Sequence, residues 1–269
     1  MFSIANKKKV RMQQKLKIIK IGGKLIENEQ NLSVFLDDFV KLKGAKILVH
    51  GGGNMATEVA GKLGFETKML DGRRITDKNS MEVITMVYGG LINKNIVAKL
   101  QHLECNAIGL CGADGNSIIS KKRPVKEVDF GYVGDIVKIN SAFISSLLEQ
   151  KIVPVFSAIS YGGEGQLFNT NADSVASEIA RALSHDFETE LYYCFEKKGV
   201  LANADDDESV IENLDRRKYK DLIEKKVITD GMLPKLQNCF EALENGVERI
   251  FLGNSELLQK KSKHTKIIA

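Results

Sequence analysis

Short apolar runs closed by glycine alternate along this chain with longer stretches whose apolar residues recur every three or four positions. Residues 16–21 form the first run, broken only by Lys17 and Lys20 and closed by Gly22 and Gly23. An apolar run bounded in this way predicts a central strand of a parallel sheet. Leu32, Phe35, Leu36, Phe39, Val40 and Lys43 follow at helical spacing and predict a helix over 31–43. Residues 46–50 then run into Gly51-Gly52-Gly53, and 54–63 are helical again. Strand, glycine loop and helix, repeated, predict an α/β fold.

From 77 to 103 there is no proline, and Met81, Ile84, Tyr88, Leu91, Asn95 and Val97 hold roughly to one face. A helix of about 25 residues would span about 38 Å at 1.5 Å per residue. That exceeds what one domain needs internally, so part of it is expected to pack on another subunit. Residues 106–111 read as a buried strand and 117–138 as a hairpin insertion. Residues 152–156 read as a core strand whose Pro154 points to an edge or a bulge. Further on, Ala172, Val175, Ala176, Ile179, Ala180 and Leu183 make a clean helical stripe. Residues 191–195 are strand-like, and the acidic run 205–207 reads as a solvated loop. Leu233, Leu236, Phe240 and Leu243 mark a helix with Pro234 in its first turn, and 248–252 is the last clear strand. With no repeat or linker in view, the expected organisation is an arm over 1–15 and a single domain over 16–269, its lobes meeting near Pro154 (16–153 and 154–269).

Composition narrows the function. The 269 residues are 43% hydrophobic and 28% charged, which is ordinary globular material. No stretch approaches 18 consecutive apolar residues, so no membrane-spanning helix is expected. Thirty-nine basic against 35 acidic residues leave a net charge of +4. That excess is too small for a dedicated nucleic-acid surface, yet it suits a small anionic substrate. Cys105, Cys111, Cys194 and Cys239 form no CxxC pair and read as buried, reduced thiols. The basic N-terminus lacks the apolar core of a signal peptide, and reads as a frayed arm or as residues upstream of a start at Met12. The cytoplasm is the expected compartment.

Several residues ask for a chemical explanation. Glycine loops after two consecutive strands, Gly22-Gly23 and Gly51-Gly52-Gly53, would let backbone N–H groups approach an anion. Neither fits GxGxxG or the P-loop, and each alone could be a tight turn. Lys20 lies in an apolar strand, where an unpaired ammonium costs several kcal/mol and so calls for an anionic partner. Lys235, in the first turn of a helix, opposes the macrodipole unless an anion joins it there. Asn169, Asn171 and Asp173 open a helix; each could cap it, but three at alternate positions exceed what one cap requires.

Taken in order, Lys20-Ile21-Gly22-Gly23, His50-Gly51-Gly52-Gly53-Asn54, Asp71-Gly72-Arg73-Arg74-Ile75-Thr76, Gly131-Tyr132-Val133-Gly134-Asp135, Asn169-x-Asn171-Ala172-Asp173 and Thr229-Asp230-Gly231-Met232-x-x-Lys235 resemble the motifs of the acetylglutamate kinases, within the amino acid kinase family. The resemblance covers about 16–269. It implies a three-layer αβα sandwich around a mainly parallel sheet. It also implies ATP-dependent phosphorylation of the side-chain carboxylate of an N-acylglutamate, the second step of arginine synthesis, with Mg2+ carried by the ATP. On this resemblance Lys20 and Lys235 neutralise the transferring phosphoryl group and Asp173 holds both lysines. Gly52 and Gly53 receive the substrate carboxylate, while Arg74 and Asn169 bind the rest of the acylglutamate. Nucleotide contacts come from Gly22, Gly23, Glu196, Lys197, Lys198, Gly199, Val200, Leu201, Val227, Ile228 and Thr229.

This fits the chemistry, since transfer between two anions demands alignment and charge neutralisation rather than a protein nucleophile. Replacing Asp173 by Asn is then expected to leave the melting temperature close to wild type and to lower kcat at least tenfold.

Three departures stand out, one of them a C-terminal His264-Thr265-Lys266-Ile267-Ile268 that only faintly echoes the family's glycine-containing ending. Cys194-Phe195-Glu196 replaces the family's Leu-Thr/Ser-Asp, and Lys197 and Lys198 beside it could meet ATP phosphates or solvent. The segment before Lys15 is too short and too charged for the N-terminal helix that joins arginine-inhibited members into hexamers. A homodimer built through the 77–103 helix and insensitive to arginine is therefore expected. Succinyl in place of acetyl, a carbamate or glutamate 5-kinase, and a nucleotide-binding sensor without turnover remain as alternatives.

Overall fold

The computed structural model describes residues 14–70, 72–203, 205–228, 232–259 and 261–268. Gln14–Ile21 forms β1, so the last two residues of the expected arm already belong to a strand, and the rest of that arm lies outside the described residues. A five-residue helix α1 (Gly23–Glu27) leads into α2 (Glu29–Lys41), whose first turn is capped by Asn28. Lys46 closes the other end of α2. Its Nζ, buried, donates to the carbonyls of Phe39, Val40 and Leu42 at 2.8–3.0 Å, as a cation at a helix C-terminus should. There follow β2 (Ala45–His50), α3 (Gly53–Lys62), and a small hairpin of β3 (Lys68–Leu70) and β4 (Arg73–Ile75).

The long helical stretch is not one uniform helix. It comprises α4 (Lys78–Ile84), a π-helical segment Thr85–Ile92 and α5 (Asn93–His102). The wider π turn shifts the buried face. Ile84, Tyr88, Ile92, Ile96 and Leu100 are buried, whereas Leu91 and Asn95, expected on that face, are exposed. Next come β5 (Ala107–Leu110), β6 (Ile118–Lys122), β7 (Gly134–Ile139), α6 (Ser141–Glu149), β8 (Val153–Ser157), β9 (Ile159–Tyr161) and β10 (Leu167–Asn169). β6 and β7 pair antiparallel, which is the expected hairpin insertion. The chain ends in α7 (Ala172–Leu183), β11 (Phe187–Cys194), β12 (Asn213–Leu214), α8 (Arg216–Glu224), α9 (Leu233–Glu244), β13 (Arg249–Gly253) and β14 (Thr265–Ile267). The short β14 escaped the pattern of apolar runs.

Among the described residues the main sheet has eight strands in the order β12-β14-β13-β11-β1-β2-β8-β5, parallel except between β13 and β14. Pro154 lies in β8, an interior strand in unshifted register, so neither the expected edge nor the expected bulge is found. It is tolerated because pairing with β2 starts only at Leu48 and Val155, while the neighbouring Val153 N–H reaches Asn106 on the other side.

Period-two alternation along β1 divides the core. Leu16 and Ile18 face one apolar layer under α6, α7, α8 and α9, and Ile19 and Ile21 face the other, under α2, α3 and the 78–102 helices. This is the expected three-layer sandwich. A second sheet, β10-β9-β6-β7, flanks it. The order reverses at β1, which has β2 on one side and β11 on the other. In open parallel sheets that reversal leaves a crevice at the carboxyl ends of the strands, where ligands bind.

Candidate active site

Lys20 lies near the carboxyl end of β1, on the α7 side with Leu16 and Ile18, paired in register with Tyr193 of β11. α7 begins just above it, and Asn171 is the cap of that helix, its side chain accepting from the N–H groups of Asp173 and Ser174 at 2.8 and 3.2 Å. Asp173 is thereby released from capping. Its carboxylate instead meets Lys20 Nζ at 2.8 Å through Oδ1 and accepts from Lys235 Nζ at 2.5 Å through Oδ2. All three side chains are largely buried, at 13–15% exposure.

Burial pushes the Asp173 carboxyl up, but the two ammonium groups outweigh it and hold it well below the usual carboxylate range. Burial also lowers Lys20; Asp173 opposes that shift and the neighbouring Lys235 adds to it. One carboxylate between two ammonium groups leaves a surplus positive charge at the carboxyl edge of the sheet. That is the charge balance a phosphate requires.

The loop after β2 adjoins this junction, since a Cβ on Gly51 would lie 3.6 Å from Ala172 Cβ. Gly52 has φ +156°, and a Cβ there would fall 2.2 Å from Ile92 Cδ1 and 3.1 Å from the Tyr88 ring. Space alone therefore demands glycine. His50, fully buried, anchors the loop from below. Its Nδ1 lies 2.8 Å from the Gly51 carbonyl and its Nε2 3.0 Å from Asn93 Nδ2. Burial lowers its pKa to about 4 against the pull of the Gly51 hydrogen bond, so it is neutral at pH 7. Its Nδ1–H donates to Gly51 and its Nε2 accepts from Asn93.

Arg74, on β4, donates through Nη2 to the Gly53 carbonyl (2.8 Å) and Thr57 Oγ1 (2.7 Å), and through Nη1 to Thr67 Oγ1 (3.0 Å). The contacts use three of its five N–H donors. Asn169, at the end of β10, donates to Thr76 Oγ1 at 3.0 Å. Loop, arginine and asparagine thus form one linked framework beside α7.

The residues expected around the nucleotide are placed less uniformly. The Gly22 N–H is donated to the Cys194 carbonyl at 3.0 Å, so it stitches β1 to β11 and is not presented to a ligand. Gly23 opens α1. Glu196 is exposed and ion-paired with Lys24 at 2.9 Å. Lys197 is exposed and pairs with Asp207 (2.7 Å), and Lys198, partly exposed, pairs with Glu208 of the acidic loop. A Cβ on Gly199 would strike Thr265 Oγ1 at 2.6 Å, and the Val200 N–H donates to that same oxygen at 2.8 Å. Val200 and Ile228 point into the core, while Leu201 and Val227 are half-buried. Thr229 lies outside the described residues. Cys194 and Cys239 are buried free thiols as expected, but Cys105 and Cys111 are only partly covered.

Sequence reasoning missed three parts of this site. Asn93 left no signal of its own. Asn171 was one of three equivalent candidates until the backbone singled it out. Tyr193 and Phe195 put their rings 5.1 and 5.8 Å from Lys235 Nζ; their i, i+2 spacing on a strand was the available clue.

A profile of the amino acid kinase family matches residues 15–254. An acetylglutamate kinase from Parabacteroides distasonis is 51% identical over 249 residues, 92% of this chain and 98% of that protein. Another, from Cytophaga hutchinsonii, is 50% identical over 262 residues, covering 95% and 99%. A crystal structure from Streptococcus mutans UA159 superposes with a TM-score of 0.76 at 27% identity, covering 94% of this chain and 98% of that one. The matched span contains the whole Lys20–Asp173–Lys235 junction and the loop beside it, and the chain belongs to the amino acid kinase family.

Proposed function

We infer that the chain transfers the γ-phosphoryl group of ATP to the side-chain carboxylate of N-acetylglutamate, the second step of arginine biosynthesis. The observation that carries this reading is the Lys20–Asp173–Lys235 junction in a chain half identical to acetylglutamate kinases. A carboxylate oxygen attacks the γ-phosphorus while the bond to the bridging oxygen of ADP breaks, and the product is an acyl phosphate. No proton moves, because the carboxylate is already a competent nucleophile.

Lys20 and Lys235 offset the charge that builds on the phosphoryl oxygens. Asp173 keeps the two ammonium groups apart and aimed at one point. Gly52 and Gly53, at the N-terminus of α3, offer N–H groups to the substrate carboxylate. Arg74, with two N–H donors beyond its contacts to the described residues, and Asn169 bind the remainder of the acylglutamate. The nucleotide lies over the carboxyl end of β11, in the half of the chain after Pro154, beside the end of β1. Ammonium and N–H donors suit phosphate oxygens rather than a cation, and no group of three or more His, Cys, Asp or Glu among the described residues is placed to hold a metal. Magnesium bound to the phosphates supplies further charge neutralisation.

The enzyme works as a homodimer through the 78–102 helices. Met86 and Leu91 are 53% and 48% exposed; five residues apart, they share one side of the π turn. No helix among the described residues is long and apolar enough to cross a membrane. The four free thiols suit a reducing compartment, the cytoplasm.

Coupled ADP release measured in parallel with N-acetylglutamate, N-succinylglutamate, glutamate and carbamate tests the reading. The expected result is the highest kcat/KM for N-acetylglutamate. A tenfold preference for N-succinylglutamate, which needs only about 1.4 kcal/mol, would reassign the acyl group. Absence of substrate-dependent release would overturn the kinase reading.

A further inference from the structure

Phe195 directly follows β11, and the proposed reaction leaves it and Tyr193 without a role. Tyr193 and Phe195 lie on the same side of β11 and its extension, and the Lys235 ammonium sits over both rings, 5.1 Å from the first centroid and 5.8 Å from the second. Both distances fall inside the range of cation–π attraction.

The rings are themselves held. Tyr193 is fully buried and its hydroxyl donates to the Asp173 carbonyl at 3.1 Å. The Phe195 backbone N–H donates to the Gly253 carbonyl at 2.9 Å. Lysine is a long, flexible stem bearing a point charge, and one ion pair to Asp173 fixes its ammonium from one direction only. The aromatic faces fix it from a second.

We propose that Tyr193 and Phe195 form an aromatic shelf that positions the Lys235 ammonium for phosphoryl transfer. The shelf attracts the cation without adding a negative charge, so it does not compete with an incoming phosphate as a second carboxylate would. Its role is positional, since neither ring is required to touch the substrate. Displacing a catalytic group by about 1 Å can cost 10²-fold. The proposal rests on the reading of Lys235 given above, and the test separates the two.

Phe195 is replaced by phenylalanines bearing one, two and three ring fluorines, which keep the shape while draining negative charge from the ring face. The expected result is a stepwise fall in kcat to a total of about 3- to 30-fold. KM for both substrates stays within about twofold, and the melting temperature is unchanged. Phe195→Leu loses a similar factor in kcat, and Phe195→Tyr retains most of it. Simple apolar packing would give a flat kcat across the fluorinated series, and that result overturns the shelf. Lys235→Met is measured alongside. A fall of about 10²–10³ in its kcat with a flat series removes the shelf alone, whereas unchanged kcat in Lys235→Met removes the catalytic lysine and the shelf with it.

Discussion

Asp173 lies in the first turn of a helix that Asn171 already caps, so the cap hydrogen bonds of α7 do not need its carboxylate. From sequence, Asn169, Asn171 and Asp173 were interchangeable as caps; only the backbone trace tells them apart. The structure also changes what Asp173→Asn should do to stability. Removing the shared partner strands two largely buried ammonium groups, and breaking such a buried pair costs about 3 kcal/mol. The variant is therefore expected to melt clearly below wild type at pH 7, not close to it. The folded-state pKa of Asp173 lies below its ordinary 3.8, so its contribution is complete above that value and is lost as pH falls through the folded one. Melting temperatures of the two proteins should converge as the pH is taken below about 3.8; a constant gap would mean that the carboxylate charge is not what stabilises the junction. His50 gives a second pH signature with the same sign. Unfolded, it protonates near 6.5; folded, near 4, so folding stability falls between those values by about 3 kcal/mol. Denaturant unfolding of His50→Gln, which keeps an acceptor for Asn93, should show a shallower loss than wild type across that window. Parallel slopes would contradict a buried neutral histidine.

At the scale of elements, the glycine loop was legible but its partner was not. Gly51-Gly52-Gly53 after a strand announces a close approach, yet the groups that approach Gly52 are Ile92 and Tyr88, from a segment read as ordinary α-helix. The π turn there moves the buried face by about one residue, which 3.6-residue periodicity cannot register. The ion pairs of Lys197 and Lys198 were illegible for a related reason. Their partners, Asp207 and Glu208, lie across a turn whose geometry a charge pattern does not encode. The Gly52 contact gives an expected outcome: Gly52→Ala destabilises by about 1–3 kcal/mol through overpacking. Adding Ile92→Val, which deletes the struck methyl group, recovers part of that loss. A double-variant cycle by chemical denaturation checks it, and strictly additive effects would place the strain elsewhere.

For the molecule as a whole, the sheet order does most to decide where chemistry happens. Strand, glycine and helix repeats were enough to anticipate a parallel sheet with helices on both faces. What they left open was which strands are neighbours. β1 between β2 and β11 brings Lys20, the Gly51 loop and Tyr193-Phe195 to one edge from widely separated parts of the sequence. The same scale governs assembly. Met86→Glu puts a charge on the exposed apolar side of the π turn, and light scattering should then report a fall from twice the chain mass to one; a wild-type protein of single-chain mass would contradict the proposed dimer. Phosphoryl transfer in this fold depends on the charge at the centre of the junction. The most direct test is kcat of folded Asp173→Asn in N-acetylglutamate-dependent ADP release, read below its melting temperature. A fall of at least tenfold is expected, because without the carboxylate the two ammonium groups repel and separate. Full wild-type kcat in the folded variant would contradict it.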